Sequence, residues 1–477
     1  MTQRLDQITP SMTTNTTTAE QDEQQPLLSS AFEQSEIQTT LENTRLKATQ
    51  LTHIPNYDNI PASTRRIKPL NNFLGQDRAR ASVEAGIALP YSGYNIFAVG
   101  TAGLGKRTMV KRLLQQHAKS MPTPNDWVYV NNFKHPRQPI ALQLPAGQAP
   151  KFQSLLHQTW QTILKQLERR FTAETYHNRI EMIRQQAGDE QQQALIELTR
   201  EGEELDLKLI AQEDEHCFVP VHLKNDKMQE MSKEDINALD SKTRAEIASN
   251  IRYMNKKLER LGLHLGDLED DARDKVQDLN RDIAKQVVMP RIDIIQNKYP
   301  SVEGLTEYLQ YYAEDIINNV EFVLEQEEDD FRPGTFSRIP ARYQANIIVT
   351  HKPNSGVPVI FEDFPTHYNL LGHVEQLTQN GTITTDFTLI RAGSLHKANG
   401  GFLMLEAEQL LEQPYAWQGL KRALKSGQLK LSSLEHMLTL TGSISIEPQA
   451  IPLNIKVILL AEPEIYYEIL ELEPELG

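Results

Sequence analysis

Residues Gly100-Thr101-Ala102-Gly103-Leu104-Gly105-Lys106-Arg107-Thr108 have the composition of a phosphate cradle. An apolar run, Tyr94–Val99, leads into them, and a helix-like segment, Met109–Leu114, follows. In a strand, glycine turn, lysine and helix in this order, backbone N–H groups and the helix N-terminus hold phosphate oxygens. Gly100, Gly103 and Gly105 let the backbone curl close to the anion, and Lys106 would reach the β/γ-phosphates of a nucleotide. One position departs from that pattern. The hydroxyl that follows the lysine and sits on Mg²⁺ is replaced by Arg107, and Thr108 comes one residue later, about 100° further round a helix. The same residues also suit a glycine-rich turn that binds nothing, and Arg107 leaves efficient hydrolysis of Mg-ATP open.

A second stretch with chemistry runs from Ala398 to Leu411. A glycine pair, an apolar strand and then acidic residues have the form of an element whose terminal Asp holds Mg²⁺ and whose next acid polarises the attacking water. Here Glu406 takes the Asp position, Ala407 takes the water-activating position, and Glu408 lies one further on. Glu406 and Glu408 are the candidate Mg²⁺ ligands, and the cofactors read from the two stretches together are ATP and Mg²⁺. The plainer reading is a buried strand leading into a solvated helix.

These residues need a sheet to position them. Strand-like Asp126–Asn131 follows the loop helix, so strand and helix alternate, and the pattern predicts an α/β core with a parallel sheet. From about residue 151 to 335 the character changes: charge and glutamine dominate, and apolar residues recur at helical spacing. Leu156, Trp160, Ile163, Leu167 and Phe171 form one stripe. Ile251, Met254, Leu258, Leu261, Leu265 and Leu268 form a seam that continues through Ala272, Val276, Leu279 and Ile283. The spacing predicts two helical arms packed as an antiparallel coiled coil, inserted in the α/β core, with Gly262 and Gly266 bending the seam. Ser232 with Asp235 suits a helix N-cap, and alternating Phe218–Leu223 predicts one side of a small hairpin. Strands return at Ala345–Thr350, Val357–Phe361, Gly381–Thr388, Thr441–Ile446 and Asn454–Leu460, and helix Trp417–Gly427 ends on a capping glycine.

The divisions expected are a flexible arm at 1–62, a first core segment at 63–150, the helical insert at 151–335 and a second core segment at 336–477. The arm is rich in Thr, Gln, Ser and Glu, and such composition buries too little apolar surface to offset chain entropy. The net charge of −15 argues against nucleic acid as the main partner, and a DNA-processing motor is disfavoured on that ground. A single cysteine, Cys217, excludes an internal disulfide framework and fits a reducing cytosol. No apolar run approaches the ~20 residues that span a bilayer, and the expected setting is cytoplasmic.

Phe73-Leu74-Gly75-Gln76, placed ahead of the glycine loop, resembles the leading segment of AAA+ ATPases. Together with Tyr94-Asn-Ile-Phe97, Trp127-Val-Tyr-Val-Asn-Asn-Phe133, Pro365-Thr-His-Tyr-Asn-Leu-Leu-Gly372 and the run from Asp386 to Gly401, it is similar to the AAA+ part of Lon-like proteases. The likeness is to the bacterial subgroup with a long coiled-coil insert. It implies that Leu74, Gly75 and Gln76 lie beside the adenine, and that the chain forms a ring, usually a hexamer, handling unfolded or damaged proteins. Tyr368 and Leu370, in a loop read as exposed, are candidates for substrate contact there. It also implies a peptidase domain with a Ser-Lys dyad, supplied in cis beyond this sequence or in trans, because no serine–lysine pair of this chain is assigned that role. The expected function is the ATP-binding, substrate-handling module of a Lon-type ATP-dependent protease. The Arg107 and Ala407 departures keep open a pseudo-ATPase scaffold that binds protein partners without hydrolysing ATP.

Overall fold

The computed structural model describes residues 47, 58, 60–67, 75–89, 93–212, 215–224, 227–329, 339–379, 382–413, 415–431 and 446–473. Most of the arm expected at 1–62, the strand expected at 441–446 save its last residue, and Leu74 lie outside them. The chain divides into two units, 1–73 and 74–477. In the first, the described element is a short 3₁₀ turn, Thr64–Arg66, capped by the Ser63 hydroxyl. The second holds the elements that follow.

Helix α1 (Asp77–Ala88) precedes strand β1 (Ile96–Val99), the glycine loop and helix α2 (Lys106–Ala118). Next come β2 (Asp126–Val130), β3 (Ile140–Leu144), α3 (Ala149–Phe171) and α4 (Glu174–Glu203). A small sheet follows, of β4 (Leu207–Gln212), β5 (Glu215–Lys224) and β6 (Lys227–Glu230), and then the long helix α5 (Ser241–Lys298). Helices α6 (Leu305–Asn318) and α7 (Val320–Asp329) lead back to β7 (Ala345–Val349) and β8 (Val359–Glu362). The last part contains α8 (His367–Leu371), α9 (Ser394–Lys397), β9 (Phe402–Glu406), α10 (Ala407–Glu412) and α11 (Ala416–Ser426), then β10 (Lys456–Ala461) and α12 (Pro463–Leu472).

The central sheet is parallel, in the order β1-β10-β9-β8. Both faces are covered, which is why its strands read as near-continuous apolar runs. Phe402, Met404, Ile458 and Leu460 face α1 and α2 through Val83, Ile87, Val110 and Leu114. Leu403, Leu405, Val457 and Leu459 point the other way, onto Leu410, Leu420 and Ala423 of α10 and α11. The mixed α/β class and the parallel sheet agree with the sequence reading.

One strand sits elsewhere. Asp126–Val130 does not join the parallel sheet; it is the middle of an antiparallel one, ordered β3-β2-β7. Strand alternation decides its two faces: Val128 and Val130 meet the helices of the insert, whereas Tyr129 joins the core beneath the parallel sheet. Asp126, fully buried, accepts from the Ala149 and His351 N–H groups at 2.9 Å and from the Thr350 hydroxyl at 3.1 Å. It ties β2, the start of α3 and the end of β7 together.

Within the stretch expected as the insert, α4 and α5 form a two-helix arm. Tyr176 donates to Asn280 at 2.9 Å, Gln191 to Glu269 at 3.4 Å and Lys257 to Glu201 at 2.5 Å, so α4 and α5 run antiparallel. Helix α5 continues unbroken through Gly262 and Gly266, each with open space where a side chain would start. Ser232 and Asp235 form the expected capping box, and Phe218–Leu223 falls in β5. Among the described residues, no helix is long and apolar enough to cross a membrane.

Candidate nucleotide site

β1 ends at Val99, and the chain then turns through the glycine loop into α2. Gly103 (φ 83°) and Gly105 (φ 73°) adopt left-handed backbone, a conformation glycine enters at little cost. Nothing lies within 4 Å of where their side chains would begin, so the dihedral requirement, not crowding, selects glycine. Gly105 caps α2 without a side-chain hydrogen bond, which leaves the first N–H groups of a 13-residue helix free to meet an anion.

The Lys106 ammonium donates to the Gly100 carbonyl at 2.7 Å and to the Ala461 carbonyl at 2.9 Å. The same Ala461 carbonyl accepts from the Gly100 N–H at 3.1 Å. An ammonium has three donors, so one remains for a ligand. This bracing exists because β10 lies beside β1, pairing Val99 with Ala461.

A cavity of about 410 Å³ opens at this edge of the sheet, lined by Ala102, Gly103, Gly105, Lys106, Arg107, Glu406, Glu408, Leu460, Ala461 and Glu462. The two stretches picked out for their chemistry therefore meet. Glu406 ends β9 one strand away from β10, and Glu408 stands in the first turn of α10. Ala407 is buried against Ala461 and Ile469, so the water-activating position holds a methyl group. Thr101, Leu104 and Thr108 are exposed and do not line the cavity, and neither does Gly100, which acts through its backbone contacts to Lys106 and Ala461. A larger hollow of about 770 Å³ includes Lys134, but that lysine is already paired with Glu307 at 3.3 Å.

Other expected residues lie outside that lining. Gly75 and Gln76 head α1, exposed and outside the cavity lining. Leu370, expected on an exposed loop, is fully buried. Thr366 caps the short helix α8 by accepting from Asn369 at 3.1 Å, and the turn this starts points Leu370 into the core with Leu371, Leu395 and Leu420. It offers no side chain to a substrate. Tyr368, on the same helix, is 46 % exposed.

Phe361 and Glu362 were not among the expected site residues. The Arg107 guanidinium carbon lies 3.5 Å from the centre of the Phe361 ring on β8. Glu362, at the same sheet edge, accepts from the Ser394 hydroxyl and from the Phe364 N–H. Its position directly after an apolar strand was the available signal, as with Glu406.

The run before β9 is structural. Asn399 donates to the Pro452 carbonyl at 2.8 Å and accepts from the Asn454 N–H at 2.9 Å. A side chain on Gly401 would lie 2.2 Å from the Pro358 carbonyl oxygen. His396 is buried, and its Nδ1 accepts from the Gly393 N–H at 3.3 Å. Burial, with help from the Lys397 charge, pushes its imidazole down to about 4.

The LonB-like AAA domain model matches residues 355–477, and the Lon-like LonC helical domain model matches residues 126–159. Both matched stretches are similar to parts of Lon-like proteins. The protein named "Putative Lon protease homolog" of Escherichia coli (strain K12) is 32% identical over 119 residues, which is 25% of this chain and 18% of that protein. Strands β8, β9 and β10 fall inside the AAA match, whereas the glycine loop at 100–108 lies ahead of it. β1 is in parallel register with β10, and Lys106 and Glu406 share one cavity. The helical match covers β2, β3 and the first half of α3.

Proposed function

We propose that the chain is the ATP-binding, substrate-handling module of a Lon-type ATP-dependent protease. The observation that carries this reading is the shared cavity of Lys106, Glu406 and Glu408 at the edge of a parallel sheet. Phosphates would rest on the N–H groups of Ala102–Arg107, with Lys106 beside them. Within the proposal the chain works in a ring, commonly of six copies. It presents unfolded protein to a peptidase whose serine and lysine are not assigned in this sequence, and Tyr368 is its remaining candidate for substrate contact. Equilibrium titration with labelled ATP tests the binding step: Lys106→Ala weakens it at least tenfold, about 1.4 kcal/mol. No binding at millimolar nucleotide, or binding indifferent to Lys106→Ala, removes the reading.

A second reading is favoured by buried Ala407 and by Arg107 in the hydroxyl position. In it the module is a pseudo-ATPase scaffold that engages protein partners through the two-helix arm. ATP turnover that vanishes in Lys106→Ala would refute it.

A further inference from the structure

We infer that this cavity takes a polyphosphate without a divalent cation, the Arg107 guanidinium standing where the metal would act. The inference rests on the nucleotide-binding reading above and names how that site works.

The residues present do not fit the Mg²⁺ that an AAA domain implies. Mg²⁺ keeps near-octahedral geometry with few protein ligands, and at a phosphate loop one of these is the hydroxyl directly after the lysine. Arg107 stands there, and Thr108 does not reach the cavity.

Arg107 is built for a different task. Its guanidinium carbon lies over the Phe361 ring, 3.5 Å from the ring centre. Stacking on an aromatic face uses the plane of the guanidinium and leaves its edge donors available. Among the described residues, none forms an ion pair or hydrogen bond with those donors. A planar fork with unengaged donors, held at the first turn of α2 beside Lys106, matches a phosphate group in two-point fashion. Phe361 is a positioning residue: it lies on β8 beside Met404 of β9 and sets where the fork points.

The carboxylates that share the cavity give the inference its sharpest consequence. Glu406, Glu408 and Glu462 outnumber Lys106 and Arg107 on the lining. If a divalent cation bridged acids and phosphates, removing an acid would weaken binding. Without such a cation, acids and phosphates repel each other, so removing one strengthens binding.

The test is titration of the full chain with labelled ATP, in EDTA and in millimolar Mg²⁺. Wild type is expected to bind within threefold of equally in the two buffers. Arg107→Thr is expected to lose at least tenfold in EDTA and to recover part of that with Mg²⁺. Glu408→Gln, at an exposed position, is expected to bind more tightly in EDTA. Phe361→Leu weakens EDTA binding while Phe361→Tyr, which keeps the ring, does not. Binding confined to Mg²⁺, with Arg107→Thr neutral in affinity and Glu408→Gln weaker, overturns this inference alone. No binding in either buffer overturns it together with the nucleotide-binding reading.

Discussion

Acidification from pH 7 to pH 5 tests how far the turn ahead of β9 depends on a neutral imidazole. His396 is buried, and its Nδ1 accepts from the Gly393 N–H, so the ring proton sits on Nε2. Protonating Nδ1 would break that bond and place a charge in the core beside Lys397. Its imidazole is accordingly pushed down from 6.5 to about 4. The folded-state value is depressed, so above pH 6.5 the ring is neutral in both states and its burial costs nothing in proton binding. Below that, the unfolded chain takes up the proton and the folded chain does not, and stability falls until the folded ring titrates near 4. Across the whole window the loss is about 3 kcal/mol, and by pH 5 it is about 2 kcal/mol. The assay is denaturant unfolding of wild type and His396→Gln at pH 7, 6 and 5. Carboxylates and other histidines titrate alike in both proteins. Wild type should therefore lose about 2 kcal/mol more than the variant between pH 7 and pH 5. Equal losses in the two proteins, or a His396 ring that titrates near 6.5 by NMR, would refute the burial argument.

Two further substitutions probe the frame that carries the cavity. Gly356 has φ +77°, and a side chain there would begin 2.0 Å from the Ala118 carbonyl oxygen; Gly356→Ala should cost about 3 kcal/mol or more, read as a lowered thermal midpoint. Asp126→Ala leaves the Ala149 and His351 N–H groups and the Thr350 hydroxyl without their buried acceptor. It should cost about 3 kcal/mol in denaturant unfolding, and Asp126→Asn, which keeps an acceptor oxygen, should cost less.

What the sequence discloses here follows from how local the physics is. The glycine loop and the strand ending at Glu406 are contiguous patterns, and their strand-to-helix grammar is visible without a partner. The long arm is legible for the same reason: a seam repeating every three or four residues needs no tertiary information, and Met254 within it is fully buried. One of the two partners of Asp126–Val130 is β7, far along the chain, and alternation tells a strand its faces but not its neighbour. Leu370 misled because a polar-looking stretch around it hides one turn of helix whose His367, Leu370 and Leu371 are buried. The Arg107–Phe361 contact joins the loop helix to the far strand of the sheet, and nothing at either position announces the other. Ala461, which braces Lys106 through its carbonyl, could not be read from side-chain type at all.

Hydrogen exchange of the full chain, with and without saturating ATP, tests the central claim most directly. The nucleotide should slow exchange together at residues 102–107, 406–408 and 460–462, the three stretches that line one cavity, while the α4 and α5 helices keep their rates. Unchanged exchange at all three, or slowing confined to the arm, would contradict the account.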